Sequence, residues 1–472
     1  MSTSMEGEEA EEEIMDPSNP MCELLVAAFL AMEPTDCLIS LAKECGGGSI
    51  TKGVQRFVWD QCVNNVVGRN SVLNHSYIKN FLKKLIVTVE SSGHDVLDRL
   101  YEQYACYMTS FKDDGLLKSN TRVCKSISFL FPNGRPGDRS SRPMKLVVPL
   151  QCSVNMLKGD TGCSIWPSSL FLSEYILSYP EIFSNKSCFE VGSGVGLVGI
   201  SLSFVNASKV ILSDGDLSTL GNMKSNLELN QLNAETLMPQ IAFYNLNLIE
   251  CKYLPWESAS EEELQGIKPD IVLGADIIYD PSCVPHLVRV LAILLTPNEF
   301  RHHQANGRSR DGMMENFDND RINDAYGEKY DFNQNGTREH PSINDCASFS
   351  KKDTSFQCDE SELNCCRSNP QELKASNANG HGQGTLQVDA SSSGASNGAS
   401  NGGSQKKQGT VAYLATVIRN LNTFNCFLRL ADEAHLSVVD LTETKQPLNL
   451  LPYMRSYDRS SIRLYAVSFS CN

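Results

Sequence analysis

The stretch Phe189 to Gly199 reads F-E-V-G-S-G-V-G-L-V-G, and it limits the possible folds more than any other part of the chain. A short apolar run, Cys188 to Val191, leads into three glycines spaced two apart, Gly192, Gly194 and Gly196. This spacing predicts a strand, a tight turn of bare backbone, and a helix starting near Gly196 whose free N–H groups attract electron-rich ligand atoms. A second run, Val210 to Ser213, delivers Asp214 twenty residues after Gly194, where a carboxylate meets ribose hydroxyls in open α/β folds. Glycine turns between strand and helix also arise for geometry alone, so other segments must agree before a ligand site is assigned.

Two cofactor classes use such a turn. The dinucleotide pattern G-x-G-x-x-G fails when counted from Gly192, because Leu197 stands at the third glycine, but Gly194, Gly196 and Gly199 satisfy it formally. The fuller pattern is E-x-G-x-G-x-G, with Glu190 two residues ahead of the first glycine. An acid there suits the cationic end of S-adenosylmethionine, which carries an ammonium and a sulfonium and no phosphate. Glu190, Gly192, Ser193, Gly194, Gly196 and Asp214 are therefore candidate cofactor contacts.

A chain of 472 residues has room for two or three domains. Its 17 cysteines are scattered without a C-x-x-C pair, and residues 1 to 16 hold seven acids and no base, unlike a secretory signal. Reduced thiols in a cytoplasmic protein are the expected state. The longest apolar runs, such as Leu291 to Leu295, are too short to span a membrane, and a net charge of −15 without basic clusters argues against nucleic-acid binding. The eight histidines and the cysteines show no metal-ligand spacing, so no metal is expected.

Composition divides the chain into five parts. Residues 1–20 form an acidic tail. Residues 21–150 open with helical spacing, as in Leu24, Leu25, Ala28 and Phe29 and again in Val96, Leu97, Leu100, Tyr101 and Tyr104, then turn to short β-like runs at 126–131 and 145–150. Residues 151–298 alternate strand and helix, the pattern of a mostly parallel sheet. Residues 299–410 are rich in Asn, Ser, Gly and charge, and are expected to be a disordered insertion. Periodic order resumes over 411–472. The split domain has seven predicted strands, at about 187–191, 209–214, 241–247, 270–276, 411–418, 436–441 and 461–469. The last two lack a helical connection, which predicts an antiparallel hairpin at the end of the sheet. This α/β architecture, a seven-stranded Rossmann-like sheet beside a mostly helical amino-terminal domain, resembles the class I S-adenosylmethionine-dependent methyltransferases.

Three further motifs narrow the resemblance. Ile165-Trp166-Pro167 precedes a helix expected over 168–179, and by itself reads better as a core tryptophan before a proline-started helix. Leu254-Pro255-Trp256-Glu257 follows the third strand, and its aromatic could lie on an adenine or anchor the loop. Asp270 to Tyr279 reads D-I-V-L-G-A-D-I-I-Y, placing Asp276 and Tyr279 at the carboxyl end of the fourth strand, where open sheets bind ligands. The set W-P-x-x-L, E-x-G-x-G-x-G-L, P-W and A-D-x-x-Y is similar to the seven-β-strand protein-lysine methyltransferases. Within them it most resembles the elongation factor 2 lysine methyltransferases, also through Gly93 to Glu102 (G-H-D-V-L-D-R-L-Y-E), Thr416 to Asn420 (T-V-I-R-N) and Leu451 to Tyr453 (L-P-Y).

The resemblance implies that Trp166, Gly192, Gly194, Trp256 and Ala275 contact S-adenosylmethionine, that Asp214 faces its ribose, and that Asp276 and Tyr279 line the channel for the target lysine. Pro255 departs from the family pattern, in which an acid often precedes the tryptophan. The implied reaction is in-line methyl transfer to a neutral lysine amine, with elongation factor 2 as the protein substrate and the enzyme acting as a monomer. Two other readings stay open at this point: a class I methyltransferase acting on another protein or a small molecule, and a binding protein that keeps the fold without the reaction.

Overall fold

The computed structural model describes residues 15, 19–64, 75–110, 122–134, 136, 142–153, 161–232, 248–297 and 409–470. The described chain opens with helices α1 (Pro20–Leu30), α2 (Thr35–Cys45) and α3 (Lys52–Phe57), the last continued by a π-helical turn at Val58–Val63, then α4 (His75–Ser91) and α5 (Asp98–Ser110). The start of α1 follows from its sequence: Asn19 accepts a hydrogen bond from the Met21 N–H at 2.9 Å, and Pro20 occupies the first turn, where its missing N–H costs nothing. The apolar faces of α1 and α4 meet through Phe29 and Phe81, both fully buried, with ring centroids 5.6 Å apart. Burying each such ring contributes about 1.5–3 kcal/mol.

Strands β1 (Arg122–Phe131) and β2 (Met144–Ser153) form a separate antiparallel pair, so the expected domain boundary at 150 falls inside a strand. The helical segment does not stand apart from the rest of the chain. Its buried residues, from Cys22 to Leu100, share one continuous apolar core with residues such as Leu172, Val198 and Leu464 of the later domain.

That later domain is a seven-stranded sheet in the order β5-β4-β3-β6-β7-β9-β8. Its elements run α6 (Pro167–Ser178), α7 (Pro180–Phe183), β3 (Ser187–Val191), α8 (Leu197–Phe204), β4 (Lys209–Asp214), α9 (Leu217–Leu229), β5 (Leu248–Tyr253), α10 (Glu261–Ile267), β6 (Ile271–Ala275), α11 (Val284–Leu295), β7 (Val411–Val417), α12 (Leu421–Glu433), β8 (Leu436–Asp440) and β9 (Ile462–Phe469). Strands β3 to β7 are parallel; β9 enters antiparallel between β7 and β8. The expected terminal hairpin is therefore present, with its second strand on the inside. Because β4 lies on one side of β3 and β6 on the other, the turn after β3 sits where the winding of the sheet reverses, the place where such sheets bind ligands.

One strand differs from the sequence reading. The third strand of the sheet is Leu248–Tyr253, whereas 241–247, where it is expected from sequence, lies outside the described residues. Both stretches carry apolar residues, but 248–253 alternates as an edge strand should: Ile249 is buried, Glu250 exposed and Cys251 half-buried. It also brings Leu254 directly to the sheet's carboxyl edge, where its N–H donates to the Asp214 carbonyl at 2.9 Å. The expected insertion, 299–410, lies outside the described residues except for Gly409 and Thr410, as does most of the acidic tail.

Segment 450–459 ties the amino-terminal part to the sheet. The Ser128 N–H in β1 donates to the Tyr453 hydroxyl at 2.7 Å, and the Leu130 N–H donates to the Leu450 carbonyl at 2.8 Å. Glu174 of α6, fully buried, accepts from the Leu450 N–H at 2.8 Å and the Tyr457 hydroxyl at 3.0 Å, and lies 3.1 Å from the Arg459 guanidinium. Burial pushes its pKa up to about 7 even with Arg459 alongside. On the other side of the hairpin, Asn226 of α9 bonds both Gln151 of β2 and the Val195 carbonyl of the glycine turn, linking β2 to the carboxyl edge of the sheet.

Candidate active site

A cavity of about 640 Å³ opens at the carboxyl edge of the sheet, between the turns that follow β3, β4, β5, β6 and β7. The turn after β3 forms its floor. Gly192 and Gly194 have φ of +66° and +54°, and a Cβ at Gly192 would stand 2.9 Å from Ile277 Cγ2, while one at Gly194 would stand 3.1 Å from the Gly162 carbonyl. Glycine meets both the backbone and the space there with the least strain.

Asp214 ends β4 and lines the wall. Its Oδ2 accepts from the Gly194 N–H at 3.1 Å and its Oδ1 from the Asp216 N–H at 3.1 Å, while burial raises its pKa. Trp256 follows β5 on the same wall, and its carbonyl is held by Arg289 of α11 at 2.8 Å. Across the cavity, Trp166 stands at the start of α6 with its indole N–H donating to the Thr161 carbonyl at 3.1 Å. Ala275, Asp276 and Tyr279 close the far side after β6; Tyr279 is 55% exposed at the rim.

Of the residues singled out from sequence, the cavity thus gathers Trp166, Gly192, Gly194, Asp214, Trp256, Ala275, Asp276 and Tyr279. Glu190, Ser193 and Gly196 do not line it. Glu190 is buried in β3 beside Ser193 and the Gly199 backbone of α8, where loss of water raises its pKa strongly. Ser193 knits the turn to the next strand: its N–H donates to the Ser213 carbonyl at 2.8 Å and its Oγ accepts from the Ser213 N–H at 3.0 Å. Gly196 caps α8. These three shape the loop from behind.

The acidity expected from Glu190 comes instead from other residues. Asp214, Asp216, Glu257 and Asp276 line the cavity, and Arg419 is its one cation among the described residues. Such a wall repels phosphates and favours a ligand with positive charge, which separates S-adenosylmethionine from a dinucleotide on electrostatic grounds. Bare glycine backbone at Gly192 and Gly194, the Asp214 carboxylate and Trp256 complete the lining on this side of the cavity. Among the lining residues that sequence reasoning did not assign are Thr161, Gly162, Glu257 and Arg419. The last is visible in the sequence only as part of T-V-I-R-N, since nothing local marks it as neighbour to Asp276. Among the described residues no group of three metal-ligating side chains occurs, and no helix is long and apolar enough to cross a membrane.

Sheet order, glycine turn and edge cavity together define a class I methyltransferase fold. Residues 148–313 match the family model described as lysine methyltransferase. The chain is 29% identical over 225 residues to the human protein-lysine N-methyltransferase EEF2KMT, covering 47% of this chain and 62% of that protein. It is 25% identical over 241 residues to the Saccharomyces cerevisiae protein-lysine N-methyltransferase EFM3, covering 47% and 61%, and 29% identical over 139 residues to the Chaetomium thermophilum protein of the same name, covering 29% and 39%. The chain therefore spans less than two thirds of the length of these curated relatives. Over these stretches the chain is similar to protein-lysine N-methyltransferases.

Proposed function

We propose that this chain is an S-adenosylmethionine-dependent protein-lysine N-methyltransferase and that its substrate is elongation factor 2. The observation that carries the reading is the joining of two sets of residues in one cavity. Gly192, Gly194, Asp214 and Trp256 supply a cofactor cradle, and Asp276 and Tyr279 stand at the far side as walls for an incoming side chain. S-adenosylmethionine, when bound, supplies a methyl group activated by the positive sulfur.

What the chain's own residues must supply is alignment and a neutral lysine amine. Lysine has a reference pKa of about 10.4, so a site that strips water from it moves it toward the reactive form. Asp276 orients the amine by a hydrogen bond, and the Tyr279 ring gives methylated products an aromatic face. Water takes the proton released. The amino-terminal helices and the β1–β2 hairpin share the core of the catalytic sheet and supply a broad surface beside it for a protein substrate. Among the described residues the cysteines form no disulfide, which accords with action in the cytoplasm, and we take the enzyme to act as a monomer.

Incubating the purified chain with labelled S-adenosylmethionine and a cell lysate tests this. Label on a lysine of elongation factor 2, read by mass spectrometry of the labelled band, is the expected result. Label confined to small molecules or to another protein would replace the substrate assignment.

A further inference from the structure

Asp276 is not free in the cavity. The Arg419 guanidinium donates to both of its carboxylate oxygens, Nη1 to Oδ1 at 3.1 Å and Nη2 to Oδ2 at 3.2 Å, and the Val417 N–H donates to Oδ1 at 3.1 Å. The pair is rigidly built. Asp276 has φ of +56°, its N–H donates to the Ala415 carbonyl at 2.9 Å, and its side chain is 3% exposed. Arg419 lies just beyond the end of β7, and its guanidinium stands 5.2 Å from the centre of the Trp166 ring, a cation–π brace. Because β6 and β7 are parallel neighbours, with Ala275 opposite Ala415, the acid after one strand meets the base after the other at the cavity wall.

We propose that Arg419 is a positioning residue of the methyl-transfer site, one that neutralises Asp276 so that the target lysine enters and stays as an uncharged amine. This inference rests on the methyltransferase reading above. A lone carboxylate in this place would bind the lysine as an ammonium, and an opposite charge within about 4–6 Å shifts a pKa by about 1–3 units in favour of the charged form. An ammonium has no lone pair with which to attack. The guanidinium fork donates to both carboxylate oxygens and so matches Asp276 with a rigid, bidentate cation. Oδ1 is filled by two donors, whereas Oδ2 keeps a lone pair that can accept one N–H of a neutral amine.

The surroundings make the need for a cation plain. The other groups that face this space are Asp214 and Asp216 after β4, Glu257 after β5, and Tyr279, Asp280 and Cys283 after β6, all neutral or negative. The carboxylates among these would hold a proton on a nearby amine; among the described residues that line the cavity, Arg419 is the one cation that opposes them. Its side chain is 42% exposed, so solvent damps the effect and the shift belongs at the lower end of the range.

The test compares Arg419→Met, which removes the charge, with Arg419→Lys, which keeps it. Rates of methyl transfer to elongation factor 2 are measured from pH 6 to 10 alongside calorimetric affinity for S-adenosylmethionine and thermal stability. For Arg419→Met we expect kcat near pH 7 to fall about tenfold or more, with the rising limb of the kcat profile displaced upward by about one unit. Arg419→Lys should hold the limb near its wild-type place. A second readout needs no turnover: with S-adenosylhomocysteine present, elongation factor 2 should bind Arg419→Met severalfold more tightly below pH 8, because the ammonium is now captured. An unmoved pH profile and unmoved substrate affinity in a folded, cofactor-binding Arg419→Met protein would overturn the proposal, whether or not the rate falls. Absence of transfer by the wild-type chain itself would fault the substrate or reaction assignment instead, and the pH-dependent binding readout would still decide the role of Arg419 toward a lysine-bearing protein.

Discussion

The Gly194 N–H donates to Oδ2 of Asp214 at 3.1 Å, tying the glycine turn after β3 to the end of β4. The bond fixes the carboxylate before any ligand arrives, and each oxygen keeps capacity to accept from a ribose hydroxyl. Asp214→Ala should therefore weaken S-adenosylmethionine binding at least tenfold by calorimetry, through loss of both the ribose contact and the turn's anchor. Because burial raises the pKa of Asp214, acidification should begin to weaken binding above the ordinary carboxylate range. Wild-type affinity in a folded Asp214→Ala protein would show that the ribose lies elsewhere.

Gly194→Arg tests the floor of the cavity. At φ of +54° with the Gly162 carbonyl 3.1 Å from a built Cβ, the longer side chain must run into the ligand's space. Cofactor binding should be lost beyond detection, with thermal stability lowered by no more than a few degrees. Retained binding would place the cofactor away from this turn.

Tyr453→Phe addresses the join between the amino-terminal segment and the sheet. It removes the acceptor of the buried Ser128 N–H, at a cost of about 1–3 kcal/mol. Urea unfolding should show that loss, while methyl transfer by the folded fraction stays near wild type, since neither residue lines the cavity.

Glu174 gives a pH signature. Its pKa in the folded protein, about 7, lies above the value of an exposed carboxyl, so the folded state binds the extra proton between the two. The stability this provides is complete at low pH and is lost as pH rises through about 7. Measured from pH 5 to 8, the melting temperature of Glu174→Gln should fall less with pH than that of the wild type. Parallel slopes would mean that Arg459 holds the carboxylate ionised throughout.

How much of the fold and site is legible in the sequence depends on whether the signal is local. The glycine turn, Asp214 and the A-D-x-x-Y stretch announce strand ends, because turn glycines and an acid ending an apolar run have no packing reason to occur there. Edge strand β5 reads one strand-length too early, since 241–247 and 248–253 both carry apolar residues and only pairing with β4 fixes the register. Spacing alone assigns Glu190 to the ligand, but its side chain is buried and does not line the cavity, and the sequence does not state which residues reach the cavity. Arg419 lies 143 residues from Asp276, and their meeting depends on β7 lying beside β6 across the long intervening segment. No periodicity records that.

One cavity is to hold a cofactor on one side and a lysine on the other, with Asp276 serving the lysine. Wild type and Asp276→Ala are to be compared for methyl transfer to purified elongation factor 2 and for calorimetric binding of S-adenosylmethionine. We predict lysine methylation by the wild type, a fall of at least about a hundredfold in Asp276→Ala, and cofactor affinities within a few-fold of each other. Full transfer by Asp276→Ala, or loss of cofactor binding together with transfer in a protein that remains folded, would contradict this division of roles.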